Sequence, residues 1–249
     1  KDMIIKVCGL RDGENIRQVA ALGVDWIGMV FWEKSPRNVT MIPTHAGIIP
    51  DRADSSQFTV HSPQSTVHSP QSTVHSSQST VHSSQPYPLR VGVFVDEMAQ
   101  NIITRAVNYR LDIIQLHGHE TPTLIRNLRA TLHPDLRPGI KIMKAVSVSS
   151  REDIEAWRTY ADCADYLLFD TKCPTAGGSG QQFNWQLLDA YDGDIPFLLS
   201  GGIGPDDADR VKAFHHPRCI GIDLNSRFEL QPGLKDVDAL RTFINSLKQ

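Results

Sequence analysis

Short apolar segments alternate with longer segments of helical periodicity along most of this chain. Eight of the short segments are rich in Val, Ile and Leu and predict strands, at residues 4–8, 26–31, 90–95, 113–116, 142–146, 166–170, 197–200 and 219–224. Because these strands are apolar at nearly every position, both faces of their sheet should be buried. Such burial is typical of a parallel sheet covered by helices.

The segments between the predicted strands carry signals for helices. Thr121-Pro122 opens one helix, residues 150–153 form a capping box before another, and apolar residues recur at helical spacing over 237–247. The second helix is weakly indicated, because two prolines and a glycine interrupt its pattern between residues 43 and 50. Strands and helices therefore alternate along the whole chain.

Eight strand-helix units predict the α/β class and a single (β/α)8 TIM barrel over residues 1–249. A doubly wound open sheet is the alternative fold. That fold should show a GxGxxG turn after the first strand, and residues 8–13 read CGLRDG instead. The barrel is the prediction that fits the sequence better.

A low-complexity segment at residues 55–88 does not fit the barrel pattern. It contains no Asp, Glu, Lys or Arg, and a seven-residue unit (TVHSPQS or TVHSSQS) starts at residues 59, 66 and 73, with a shortened copy, TVHSSQ, at residue 80. Each unit offers one Val, so it can bury neither a coiled-coil seam nor a core. Its regularly spaced histidines have no Cys or carboxylate neighbours, and duplication explains them better than a metal site does. We expect a flexible polar insertion between the second helix and the third strand.

Composition and charge narrow the class of protein. Lys and Arg number 25 against 28 Asp and Glu, the net charge is −3 and the pI is about 6.4. This balance predicts neither a nucleic-acid partner nor a membrane surface. The start of the chain lacks the apolar region of a signal peptide, and its four cysteines form no CxxC pair. We expect a cytoplasmic protein with reduced thiols.

The ends of the predicted strands carry the chemical information, because TIM barrels place their active sites there. The motifs at these ends are KVCG, FWEKSPR, GVFVD, QLHG, FDT followed by GGSG, LSGGI and GIDLNSRFE. In this order and at this spacing, they resemble the phosphoribosylanthranilate isomerase family of tryptophan biosynthesis. The resemblance covers the chain outside the repeat.

This resemblance implies a cofactor-independent, metal-free barrel that catalyses an Amadori rearrangement. The reaction converts N-(5-phosphoribosyl)anthranilate to 1-(2-carboxyphenylamino)-1-deoxyribulose 5-phosphate. An acid must open the sugar ring and a base must remove the C2 proton. The resemblance implies that Cys8 is the base and Asp170 the acid. The structural alternatives are that Cys8 is a small core residue and that Asp170 caps the following turn.

Further residues are candidates for binding the substrate. Arg37 would pair with the anthranilate carboxylate, the alternative being a solvated loop residue. The phosphate would lie against the loops after the seventh and eighth strands, which hold Gly201, Gly202, Asn225 and Ser226. Asp223 would bond sugar hydroxyls, and Gln115 and His117 would line the floor or rim, with structural packing as the alternative for all three. Residues 171–180 resemble a mobile flap.

Three other functions are alternatives. A related barrel isomerase of histidine biosynthesis typically has Asp where Cys8 stands, and two phosphate-binding halves. Indole-glycerol-phosphate synthase needs a constellation with catalytic Lys at strand ends. In this chain Lys144 falls inside the fifth predicted strand, and the rest of the synthase pattern is absent. A non-catalytic barrel that presents the repeat should have lost its strand-end residues, and in this chain those residues are intact.

The resemblance also predicts the partners of the protein. The expected partner is the small phosphorylated substrate, and association with other tryptophan-pathway enzymes is also allowed.

Overall fold

Eight parallel strands pair in chain order and close into a barrel in this computed structural model, which describes residues 3–39, 87–171 and 182–249. The barrel strands are β1 (Ile4–Val7), β2 (Trp26–Val30), β3 (Leu89–Phe94), β4 (Ile113–Leu116), β5 (Lys141–Val148), β6 (Tyr166–Thr171), β7 (Phe197–Leu199) and β8 (Cys219–Leu224). The closing pair is β1 with β8, in which Lys6 lies opposite Asp223. The predicted TIM barrel is confirmed, and the open sheet is excluded.

Helices follow the strands as the sequence signals predict. They are α1 (Gly13–Ala20), α2 (Ala99–Asn108), α3 (Pro122–Thr131), α4 (Arg151–Ile154), α5 (Ala208–Ala213) and α6 (Val237–Lys248). Thr121 caps α3 by accepting from the Leu124 amide, at 3.2 Å. A π-helical turn at Leu132–Leu136 follows α3, and short 3₁₀ segments lie at Glu155–Tyr160, Trp185–Ala190, Pro205–Asp207 and Ser226–Phe228. The short strand β9 (Glu229–Gln231) pairs with β10 (Leu234–Lys235). Among the described residues, no helix is long and apolar enough to span a bilayer.

The predicted limits agree with the structure for β4 and β8 and differ from it by one or two residues for the other six strands. The fifth strand is the largest departure, because it continues to Val148. The predicted second helix, the repeat and nearly all of the predicted flap lie outside the described residues. The final residues of the predicted 55–88 insertion are described: Pro88 is buried, and Tyr87 packs against the core.

Strand alternation divides the buried residues into an outer and an inner layer. The outer layer packs under the helices, as Ile5 and Val7 of β1 do. The inner layer is apolar at the bottom of the barrel, where Trp26, Val91, Ile113, Met143, Leu168 and Leu198 form one cluster. Towards the carboxyl ends of the strands it becomes polar, because Cys8, Gln115, Asp170 and Asp223 share the inward side. This polar mouth is the candidate site.

Candidate active site

Cys8 lies at the end of β1 in a pocket that we call the thiol pocket (Lys6, Cys8, Gly28 and Asp223). Its side chain is 4% exposed and packs beside Val30 and Val93. Gly28 on β2 provides the room for it, because a Cβ at that position would lie 2.7 Å from the Cys8 sulfur. The thiol is therefore fixed at the inner edge of the mouth.

A buried ion pair underlies the thiol. The Lys6 ammonium, which is fully buried, donates to Asp223 Oδ1 at 2.8 Å. Ser200 donates to the other oxygen of Asp223 at 3.2 Å. Burial alone would lower the pKa of Lys6, but the charges of Asp223 and Cys8 outweigh it and raise that pKa. Lys6 is therefore a cation at neutral pH.

Opposing effects act on the Cys8 thiol. Burial is the largest, and it raises the pKa of Cys8, with a further rise from the charge of Asp223. The positive charges of Lys6 and Lys235 act in the other direction and lower that pKa. The net result is a pKa above that of a free thiol.

Asp170 is the penultimate residue of β6, which β7 and β8 separate from β1 around the barrel. Its Oδ2 lies 3.1 Å from His117 Nε2, and His117 Nδ1 lies 3.1 Å from the side-chain nitrogen of Gln115. We call these three residues the imidazole chain. Asp170 Oδ1 also accepts from the Thr171 amide within β6, at 2.9 Å, and the turn that Asp170 could cap lies outside the described residues. The structure thus joins three residues that the sequence only suggested separately.

The loop that carries His117 is held by a carboxylate that sequence reasoning missed. Glu120 is 4% exposed and accepts from the amides of Gly118 and Asp96, each at 3.0 Å. Lys144 donates to Glu120 at 3.1 Å, to the Gly118 carbonyl at 2.7 Å, and to two further carbonyls. These bonds fix the turn after β4. Lys144 is a buried structural cation, which argues against the lysine chemistry of a synthase.

Arg37 lies in a second cluster of charges, the guanidinium cluster (Arg37, Asn225, Glu229 and Lys235). Its Nη2 and Nε donate to Glu229 at 2.7 and 2.9 Å, and Lys235 donates to Glu229 at 2.6 Å and to Asn225 Oδ1 at 2.8 Å. Arg37 is 8% exposed, so its interpretation as a solvated loop residue is wrong. Burial alone would raise the pKa of Glu229, but the bond from Arg37 and the charge of Lys235 outweigh it and lower that pKa.

The guanidinium cluster carries an unbalanced positive charge. Arg37 and Lys235 are two cations that share one carboxylate, Glu229. The side-chain hydrogen bonds of Arg37 to the described residues use Nε and Nη2, and none of them uses Nη1. The cluster can therefore accept an anion.

The loops after β7 and β8 lie against each other, as a shared phosphate site requires. Gly201 and Gly202 have φ of 92° and 67°, a conformation that favours glycine. A Cβ on Gly204 would lie 3.0 Å from Nε of Arg227, in the loop after β8. Ser226 begins a 3₁₀ segment, and Asn225 Oδ1 is already bonded to Lys235. Gly201 also approaches Asp170, since a Cβ on Gly201 would lie 3.0 Å from Asp170 Oδ1.

No group of three or more His, Cys, Asp or Glu side chains that could hold a metal ion occurs in the part of the chain that the structure describes. The titratable side chains at the mouth instead form the thiol pocket, the imidazole chain and the guanidinium cluster. Lys6, Glu120, Glu229 and Lys235 are additions to the residues predicted from the sequence. One signal in the sequence could have identified Lys6 as a site residue. It is a charged residue in an apolar strand, two residues before Cys8 and so on the same side of that strand.

Comparison with known proteins identifies the family. The family model of N-(5'-phosphoribosyl)anthranilate isomerase matches residues 46–246. A protein of that name from Parabacteroides distasonis is 41% identical over 98% of this chain and 93% of its own length, and one from Phocaeicola vulgatus is 39% identical over 99% and 98%.

Solved structures agree in fold. Phosphoribosyl anthranilate isomerase from Thermotoga maritima shares 27% identity at a TM-score of 0.68, with 99% of each chain covered. An isomerase solved in complex with reduced 1-(o-carboxyphenylamino)-1-deoxyribulose 5-phosphate shares 26% identity at a TM-score of 0.65, again with 99% of each chain covered. The chain therefore belongs to the N-(5'-phosphoribosyl)anthranilate isomerase family, and it is an enzyme that catalyses the Amadori rearrangement in tryptophan biosynthesis.

Proposed function

We propose that Cys8 is the general base and Asp170 the general acid of this isomerisation. The supporting observation is that two proton-transfer groups project into one mouth from β1 and β6, which two strands separate. Asp170 protonates the ring oxygen and opens the sugar to a Schiff base. The Cys8 thiolate then removes the C2 proton and leaves an enolamine. The Cys8 thiol returns a proton to C1, and the C2 hydroxyl gives its proton to the Asp170 carboxylate as the ketone forms, which restores the acid and the base.

His117 orients the acid in this proposal. With the Gln115 amide donating to Nδ1, the imidazole carries its proton on Nε2 and donates it to Asp170 Oδ2, at 3.1 Å. This bond holds one carboxyl oxygen, and the Thr171 amide holds the other. The carboxyl group is thus fixed in rotation at the rim.

Arg37 binds the anthranilate carboxylate. A bound carboxylate would neutralise the surplus charge of the guanidinium cluster, and Nη1 is the donor that remains for it. The phosphate lies between the β7 and β8 loops, where Gly201 and Gly202 allow the backbone to approach and Asn225 and Ser226 continue the cradle. Asp223, which Lys6 and Ser200 hold in place, faces the sugar hydroxyls between these two ends.

The enzyme acts in the cytoplasm in this proposal, in keeping with its charge and its cysteine content. The chain is a single-domain barrel with a polar insertion at residues 55–88, whose end at Tyr87 and Pro88 packs against the barrel, and the repeat takes no part in catalysis.

The test of the acid-base assignment is kinetic. Cys8→Ala and Asp170→Asn should each lower kcat by at least about 100-fold, while the affinity for a product analogue changes little. Purified variants are assayed by the fluorescence decay of phosphoribosylanthranilate, with analogue binding measured by calorimetry. Cys163→Ala is the matched cysteine control, because that thiol lies under the helices and should leave kcat unchanged. Near-normal kcat in either active-site variant would remove that residue from the mechanism.

A further inference from the structure

Lys6 is a fully buried charge directly beside the proposed base. We infer that Lys6 is the positioning residue that makes Cys8 a usable base, by placing its ammonium against the thiolate. The inference rests on the proposed function, since it takes Cys8 as the base. It assigns to Lys6 a role separate from substrate binding.

Strand geometry brings the two side chains together. Residues two apart on a strand point to the same side, so Lys6 and Cys8 both face the barrel interior from β1. Lys6 lies opposite Asp223 in the pairing of β1 with β8. The ammonium is therefore fixed against Asp223, on the inward side of β1 that Lys6 shares with Cys8.

The hydrogen bonds of the buried lysines support this assignment. An ammonium has three N–H donors, and a buried donor without an acceptor is destabilising. Four oxygen acceptors lie within 3.2 Å of the Lys144 ammonium, and three lie within 3.4 Å of the Lys235 ammonium. Lys6, the most buried of the three, has one oxygen acceptor among the described residues, on Asp223. Its remaining donors are available to the sulfur of Cys8.

The charge balance explains how Lys6 can interact with both the Asp223 carboxylate and the Cys8 thiolate. In the resting thiol form, Lys6 and Asp223 neutralise each other. When Cys8 ionises, Lys6 becomes the cation shared by the carboxylate and the thiolate. When the thiolate takes the C2 proton, that second interaction ends, and it returns once the thiol gives up the proton. Lys6 itself stays protonated throughout.

The other groups that face Cys8 do not replace this cation. Asp223 on β8 opposes ionisation of the thiol, and Lys235 on β10 favours it but is held by Glu229 and Asn225. The neighbours from β2 and β3, Val30 and Val93, are apolar. Lys6 is thus the cation that faces the sulfur with donors to spare.

The test measures the ionisation of Cys8 directly. The rate of alkylation by iodoacetamide is followed against pH, with the modified cysteine identified by peptide mass spectrometry. Lys6→Met should raise the pH midpoint for Cys8 by at least about one unit, because a nearby opposite charge lowers a pKa by roughly one to three units. Lys6→Arg should keep the midpoint near that of the parent enzyme. Asp223→Asn should lower it, since the thiolate then has Lys6 to itself.

Two further variants keep the test decisive. Lys6→Met leaves Asp223 buried without its cation, so the double variant with Asp223→Asn removes both charges and should still titrate higher than the parent. Lys144→Met, which removes a buried lysine from the opposite side of the barrel, should not move the midpoint. An unchanged midpoint in both Lys6→Met proteins would overturn the inference. Alkylation needs no turnover, so this result stands apart from the kinetics of Cys8→Ala, which test the proposed base.

Discussion

Gly28→Ala is a test of how sensitive the reaction is to the position of the Cys8 sulfur. The added Cβ would lie 2.7 Å from that sulfur and 3.1 Å from the Cys8 Cα. Ordinary contact begins near 3.4 Å, so the sulfur must move by about 0.7 Å or the two strands must separate. A displacement of about 1 Å in a reacting group can lower a rate about 100-fold. We therefore expect kcat to fall by at least about tenfold.

The same substitution should also destabilise the barrel by about 1–3 kcal/mol, as overpacking usually does. Gly92→Ala is the matched control, because its Cβ would lie 2.3 Å from the Leu111 side chain, in the layer under the helices. Both variants should melt at lower temperature, and kcat per folded molecule should fall only for Gly28→Ala. The measurements are chemical unfolding, and steady-state kinetics corrected for the folded fraction. Equal kcat in the two variants would refute the steric reasoning.

Three further predictions concern the substrate and the repeat. Arg37→Ala should reduce kcat/KM by an amount equivalent to about 1–3 kcal/mol, and Arg37→Lys should recover only part of that loss. The measurement is steady-state kinetics, and an unchanged kcat/KM would leave Arg37 a purely structural partner of Glu229. Gly201→Ala puts a Cβ on a residue with φ of 92° and 2.3 Å from the Thr171 hydroxyl, so calorimetry should show at least about tenfold weaker binding of a phosphorylated product analogue, and equal affinity would remove this loop from the phosphate site. Excision of residues 59–85 should leave kcat/KM within about threefold and the melting temperature unchanged or slightly raised, because the entropy cost of closing a loop grows only slowly with its length. A folded but inactive product would assign the repeat a role at the site.

The barrel could be predicted because its signals are local. Residues 113–116 and 219–224 are apolar runs bounded by polar segments, and they agree with β4 and β8 to the residue. The strand limits that were missed depend on partners distant in the sequence. Residues 147 and 148 belong to β5 because they pair with Asp170 and Thr171 of β6, and no local pattern encodes that pairing.

The sequence could predict which residues line the candidate site, but it could not predict which charged groups pair with one another there. Cys8 and Asp170 could be named because they end apolar strands in matched motifs. The partner of Lys6 lies 217 residues along the chain, and Arg37 finds Glu229 at a separation of 192. A lysine in an apolar strand has no visible counter-ion until the barrel closes. The sequence therefore suggested which groups react, and the structure showed which charges surround them.

The ion pair between Lys6 and Asp223 joins the first and last strands of the barrel, and this has a consequence for folding. β1 is made first and β8 last, so the environment of Cys8 cannot form while the chain is incomplete. Contacts this distant in sequence form late, since a long loop must be closed before they are gained. Until β8 docks, Cys8 has no Asp223 and no Lys6–Asp223 ion pair beside it. The reactivity of this one cysteine therefore reports the moment at which the barrel closes, during synthesis or refolding.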